Sequence, residues 1–373
     1  MTITAPPPAT LTPTTDSLRS GRLAAWVPWG LLGASLVALL AVFLIMAGAA
    51  GGDFNYGGWL VSAALVYLAV IYVTSSIVEG GRKATDRLVT GVVTAAFLIA
   101  MVPLVSVAWT VVSNGIARFD LLFFSSSMRN VVGEGGGALH AIVGTVLITG
   151  AAAIISIPIG LMTSIYLVEY GAGKRLARAI TFLVDVMTGI PSIVAGLFAF
   201  SLFYLLVGPE ARSGVVGAVA LSVLMIPVVI RSTEEMLRLV PNELREASLA
   251  LGVPKWLTII RIVLRTSVAG ITTGVMLAIA RVIGETAPLL ITVGASDSIN
   301  SNLFEGNMMT LPVYVYRQYA AGLVPCAPGD DACIATINYD RAWSAALVLI
   351  LVVMLLNLVA RGVSRWFAPK TRA

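Results

Sequence analysis

The chain has 373 residues, of which 58% are hydrophobic and only 12% charged, about half the ~25% charged content of soluble domains; its mean hydropathy is +0.93. With 24 Lys and Arg, 19 Asp and Glu, one His and two Cys, most soluble-enzyme chemistries lack the residues they need. The net charge of +5 is not gathered into a dense basic face, which argues against nucleic-acid binding.

Residues 1–23, with Pro6, Pro7, Pro8, Pro13 and many Thr, offer little to bury and read as a disordered tail. Eight apolar runs follow, at Ala24–Ala49, Gly58–Val78, Leu88–Val112, Leu139–Val168, Ile180–Val207, Gly214–Ile230, Thr266–Gly294 and Ala342–Ala360. A helix needs about 20 mainly apolar residues to cross ~30 Å of hydrocarbon, so the pattern predicts an all-α polytopic membrane protein. The first run is too long for a signal peptide and lacks a small-residue cleavage site, so it reads as a retained anchor.

An even number of spans puts both termini on one side. The connections on that side, the tail, Glu79–Arg87, Glu169–Ala179, Arg231–Arg265 and the C-terminus, hold 18 basic residues, against five on the other, Arg118, Arg129, Arg212, Arg317 and Arg341. The positive-inside rule then predicts cytoplasmic termini. Cys326 and Cys333 fall outside, around a turn-forming Ala-Pro-Gly-Asp-Asp-Ala stretch. They read as a disulfide, with two unpaired loop thiols as the alternative; no further ligands of suitable spacing accompany them for a metal.

The Arg231–Arg265 segment reads as two short helices with a corner. Asn242 can cap the first, whose Leu244, Ala247, Ser248 and Leu251 line one face, and Gly252 stands where a left-handed cap is wanted. Pro254 suits the first turn of the second, where Trp256, Ile259, Ile260 and Val263 repeat at helical spacing. Such an elbow offers an apolar face to the cytosol.

Glu246-Ala247-Ser248, then Gly252, Ile262 and Leu264, resemble the EAA loop of the membrane subunits of binding-protein-dependent ABC importers. Arg265 stands where the general pattern often has Pro, as in the phosphate-permease (PstA-type) branch. The chain is similar to that branch also in Ile226-Pro-Val-Val-Ile-Arg-Ser-Thr-Glu234, Gly189-Ile-Pro-Ser-Ile-Val-Ala-Gly196 and Gly284-Glu-Thr-Ala-Pro-Leu-Leu290. The resemblance covers about Leu139–Ala360. It implies the type I importer transmembrane core at 88–366, with its EAA loop at about 231–265, two additional helices within 24–87, and a cytoplasmic tail at 367–373. It also implies a homologous PstC-type permease, a cytosolic PstB-type ATPase dimer, an extracytoplasmic PstS-type phosphate-binding protein, and coupling through Glu246, Ala247, Ser248 and Gly252.

Charged residues inside a span mark a pathway or a partner. Arg281 lies within the seventh run, with Glu285 one helical turn on and on the same face. Arg231 ends the sixth run, with Glu234 and Glu235 placed to meet it. A guanidinium matches a phosphate oxyanion bidentately, and the resemblance implies transport roles for Arg231, Glu234 and Arg281. The alternative for both pairs is a closed ion pair that fixes helix register. Asp185 reads as a boundary residue, His140 as an incidental surface histidine, and Gly270-Ile-Thr-Thr-Gly274 as a weak GxxxG match.

No G-x-x-x-x-G-K-[ST] occurs, so the chain is read as a non-catalytic permease subunit without a cofactor of its own, ATP and Mg residing on a partner ATPase. Sulfate or molybdate as cargo, or a stand-alone secondary transporter with Glu285 and Asp185 as proton carriers, are the competing readings.

Overall fold

The computed structural model describes residues 21, 23–50, 54–209, 211–327 and 333–367; the tails expected at 1–23 and 367–373 lie almost wholly outside them. Among the described residues there are helices and turns but no strand. Seven helices are long and apolar enough to cross a membrane, or eight if one bent pair counts as a span. The chain divides into two compact units between Ala108 and Trp109.

The first unit contains α1 (Val27–Ala50), α2 (Tyr56–Val78) and most of α3 (Gly81–Gly115). A two-residue corner, Glu79-Gly80, joins α2 to α3. The Glu79 side chain is only 2% exposed. It accepts from Arg87 Nε (2.6 Å) and Nη2 (3.0 Å), from Ser75 Oγ (2.9 Å) and from the Leu23 backbone N–H (3.0 Å). The start of α1, the end of α2 and the start of α3 are thus clasped by one carboxylate. The hydrogen bonds from Arg87, outweighing burial, hold that carboxyl down at about 2, from an ordinary value of 4.5. The extra polar turns at the start of α3 place Arg82, Lys83 and Arg87 on a helix rather than in the loop expected there.

The second unit is organised around α8 (Gly214–Arg238), which packs against α5 (Leu139–Ile165), α6 (Arg175–Thr188), α7 (Ser192–Val207), α11 (Leu264–Ile283) and α12 (Ala287–Thr292). Small residues make these crossings close, as is usual where lipid supplies no hydrophobic drive between helices. A Cβ on Gly160 of α5 would come within 2.6 Å of Val229, and one on Gly217 of α8 within 2.3 Å of Val293. Gly270 and Gly274 both face α8, at Met236 and Ser232, where an added Cβ would come within 2.2 Å and 2.5 Å. The GxxxG match read as weak therefore lies at a helix crossing.

Three expected spans are corrected. The fifth is not straight: α6 and α7 are bent by 109° at the break around Pro191, because proline lacks an N–H and keeps Ile190 out of the helical region. The sixth continues to Arg238, so Arg231, Glu234, Glu235 and Arg238 lie on α8 rather than in a loop. The seventh begins at Lys255 and stops at Ile283, with Gly284 as its cap and α12 as a separate short helix.

Of the remaining elements, α4 (Leu121–Ser125) precedes α5, α9 (Asn242–Ala250) and α10 (Lys255–Thr258) precede α11, and α13 (Leu311–Ala321) precedes α14 (Ile337–Phe367). Between α4 and α5, a glycine-rich loop is held by two guanidiniums. Arg341 Nε donates to the Gly135 carbonyl (3.1 Å), and Arg118 Nη2 to those of Gly135 (3.2 Å) and Gly136 (2.9 Å). Cys326 and Cys333 are joined by a disulfide between α13 and α14.

Because folding lowers the Glu79 pKa, its contribution to stability is complete above about pH 4.5 and drains away as pH falls toward 2. Replacing Glu79 with Gln should lower stability at neutral pH by about 1–3 kcal/mol and remove this acid-dependent component. Thermal unfolding of the detergent-solubilised protein across that pH range checks it; identical profiles for the two proteins would deny the clasp its role.

Candidate coupling and transport site

The elbow is anchored by residues to which its sequence pattern gave no weight. Helix α5 does not end cleanly but widens into a π turn, Tyr166–Tyr170, and α10 passes through a second π turn, Ile259–Val263, into α11. Such turns are rare and frequent at functional sites. Glu169 in the first π turn accepts from Arg245 Nε of α9 at 3.0 Å, and its side chain is 6% exposed. The same guanidinium donates to the carbonyls of Leu237 (2.8 Å) and Val240 (2.5 Å), filling acceptors that the end of α8 leaves open, and to Asn242 Oδ1 (3.1 Å). Lys255 adds a hydrogen bond to the Glu169 carbonyl and lies 4.9 Å from the centre of the Tyr170 ring.

Inside the elbow, Ser248 and Thr258 are both buried and share a hydroxyl hydrogen bond of 2.8 Å, joining α9 to α10. The corner is a Schellman closure: the Gly252 N–H donates to the Leu249 carbonyl (2.9 Å) and the Val253 N–H to that of Ser248 (3.2 Å). Gly252 has φ +78°, where a side chain would be strained although the space around it is open. Asn242 does not cap α9. Pro241 stands at that position, and the Asn242 side chain is spent on Arg245.

Of the coupling candidates, Ser248 is therefore internal, while Glu246, Ala247 and Gly252 are exposed. Leu244 is exposed beside them, with Leu251 83% and Trp256 58% exposed. The second apolar stripe is divided: Ile259 and Val263 are buried, whereas Trp256 and Ile260 face outward. The elbow is not two short helices, since α10 runs on into the seventh span.

Among the transport candidates, Arg231 and Glu234 are brought together at 3.0 Å. Arg231 also pairs with Asp185 of α6, and Glu234, 6% exposed, accepts from Arg238 at 2.6 Å. Two carboxylates and two guanidiniums thus form a charge-balanced chain from α6 to α8. Asp185, read as a boundary residue, is a member of this chain through Arg231.

Arg281 and Glu285 do not share a face, because the helix stops at Ile283 between them. No ion pair joins them among the described residues, and Arg281 is exposed on the last turn of α11. His140 is 2% exposed rather than on the surface, its ring edge-on to Tyr314 with centroids 5.4 Å apart.

A polytopic helical protein with a fastened elbow between two of its spans and charged residues on its apolar helices has the make-up of a membrane transport subunit. The family model described as "Binding-protein-dependent transport system inner membrane component" matches residues 156–373, and the chain belongs to that family. It is 46% identical over 294 residues to the "Phosphate transport system permease protein PstA 1" of Mycobacterium tuberculosis, covering 78% of this chain and 92% of that one. The Haemophilus influenzae protein named "Phosphate transport system permease protein PstA" is 39% identical over 280 residues, covering 75% and 94%. Among solved structures, a bacterial alginate ABC transporter in complex with an alginate-bound periplasmic protein aligns with a TM-score of 0.55 at 14% identity, covering 78% of this chain and 97% of that one. The fold is that of a type I ABC importer transmembrane domain.

Replacing Arg245 with Ala leaves the buried Glu169 carboxylate without its cation, a loss of roughly 3 kcal/mol or more. The elbow should then be cut faster by protease between α9 and α10 while the spans stay intact; unaltered cleavage would show that the elbow is held by other contacts.

Proposed function

We propose that this chain is a membrane-spanning permease subunit of an ATP-driven phosphate importer, with both termini and the elbow between α8 and α11 in the cytoplasm. The observation that carries the coupling role is the elbow itself. It exposes Leu251 and Trp256, yet is fastened by Arg245 to the ends of two spans, those of α5 and α8. A PstB-type ATPase dimer seated on that surface acts on α5 and α8 through the Arg245 hydrogen bonds. A PstC-type permease completes the path, a PstS-type protein delivers phosphate from outside, and ATP with Mg is held by the ATPase. Phosphate is favoured over sulfate or molybdate by the 46% and 39% identical relatives named as phosphate permeases. Membership of a binding-protein-dependent family weighs against a stand-alone transporter.

Arg281 is the residue assigned to the anion. Its guanidinium has no carboxylate partner among the described residues, so its donors are open to an oxyanion. Arg231 already serves two carboxylates and acts in this conformation as a latch between α6 and α8. Glu285 lies two residues beyond the end of α11.

In the reconstituted complex, Arg281→Gln should reduce phosphate uptake to background while assembly and expression are retained; loss of the assembled complex would make Arg281 structural instead. Gly252→Val places a β-branched residue at a left-handed position, a strain of about 1–3 kcal/mol, or roughly five- to 150-fold in an equilibrium. Uptake should fall by that factor while ATP hydrolysis continues, and full uptake would sink the coupling assignment.

A further inference from the structure

A turn, Gly171-Ala-Gly-Lys174, joins the π turn at the end of α5 to α6, and a cleft of about 270 Å³ opens beside it. Its walls come from three elements: Leu167 of the π turn, Lys174, Arg178 and Thr181 at the start of α6, and Glu234 and Arg238 of α8. Lys174, Arg178 and Thr181 follow one another at i, i+4 and i+7, so they stand on one helical face. Neither the Lys174 nor the Arg178 side chain has an ion pair or hydrogen bond among the described residues. Arg238 gives Nη2 to Glu234 Oε1 at 2.6 Å, and Glu234 Oε2 accepts from Arg231 at 3.0 Å. That carboxylate is therefore closed and does not neutralise the α6 cations. Nothing lies within 4 Å of where a side chain on Gly173 would stand, so the turn leaves the mouth clear. The cleft is at the elbow end of the core, since Glu169 of the same π turn holds Arg245 and Lys255. Arg281 stands about 39 Å farther along the helix that starts at Lys255, at 1.5 Å per residue.

We infer that this cleft binds one phosphate group, held by the Lys174 ammonium and the Arg178 guanidinium on one side and by Arg238 on the other. Three lining cations against one closed carboxylate leave an excess that suits an oxyanion carrying up to two negative charges. The Thr181 hydroxyl is a further donor on the α6 face. The volume falls below the ~300–1,000 Å³ of sites for drug-sized ligands, so the cleft takes the phosphate alone and not the acyl chains of a lipid. Like charges one helical turn apart repel, and an anion between them relieves that cost. It also ties α6 to α8 a second time, beside the Asp185–Arg231 pair. Inorganic phosphate and the headgroup of an anionic phospholipid offer the same group.

The test is equilibrium dialysis of radiolabelled inorganic phosphate against the detergent-solubilised full chain carrying Arg281→Gln, which removes the residue assigned to the transport path. One phosphate should bind per chain. Adding Arg178→Glu should weaken binding by roughly tenfold or more, whereas Arg178→Lys should retain most of it. Arg129→Glu, at an exposed position outside the lining, should leave it unchanged. Short-chain phosphatidylglycerol and glycerol 3-phosphate, added as competitors, separate the two sources. Stronger displacement by the lipid assigns the site to a membrane headgroup, and displacement no stronger than by glycerol 3-phosphate assigns it to the free anion. Absence of saturable phosphate binding, or equal affinity with and without Arg178→Glu, would overturn the site. Uptake by the Arg281→Gln complex is a separate measurement, and its outcome bears on the path and not on this cleft.

Discussion

The Arg245–Glu169 pair is the interaction on which the coupling geometry depends. A carboxylate only 6% exposed at the end of an apolar helix is tolerable only when it is paired and hydrogen-bonded. Its partner comes from the elbow, and the same guanidinium also fills the acceptors at the end of α8. One side chain therefore binds α5, α8 and α9 into a single body. The Ser248–Thr258 hydrogen bond extends that body into α10, and α10 continues into α11 through the second π turn. The elbow is thereby fastened to three helices of the core, α5, α8 and α11, so that a load on it would reach all three together.

Around α8 the same economy of charge holds. The close crossings at Gly160, Gly217, Gly270 and Gly274 leave little room for side-chain adjustment, so α8 cannot change its rotation without moving its neighbours. In its charged end Arg231 is paired with Asp185 of α6 and with Glu234, and Glu234 with Arg238. Arg281 stands apart from this balance, exposed on the last turn of α11 with no ion pair among the described residues. In the first unit a different carboxylate, Glu79, does the analogous work of drawing three helix ends together.

Much of this organisation was legible in the sequence. Apolar runs of span length reveal themselves by composition, and the Pro241-to-Trp256 stretch announced both the corner and the left-handed glycine. The failures have identifiable causes. Arg281 and Glu285 are spaced as helical neighbours, but Gly284 ends the helix between them, and a glycine amid apolar residues looks the same whether it packs or terminates. Asn242 is a good cap by type, yet it was drawn to Arg245 by a contact 76 residues distant in sequence from the other end of that network, Glu169. The π turns leave no periodic trace short enough to detect. A charged residue at the end of a span, Glu169, was the available signal, but Lys174 and Arg175 a few residues on offered nearer partners than Arg245.

The central claim is that the elbow and the core helices move as one piece. Double electron–electron resonance between labels at Leu251 in the elbow and Val146 on α5, both exposed, measures it in the assembled transporter with and without nucleotide. A single narrow distance distribution that is the same in both states is the predicted result. A distribution that broadens or shifts when nucleotide binds would show that the elbow hinges on its own, and would contradict rigid coupling through Arg245 and Glu169.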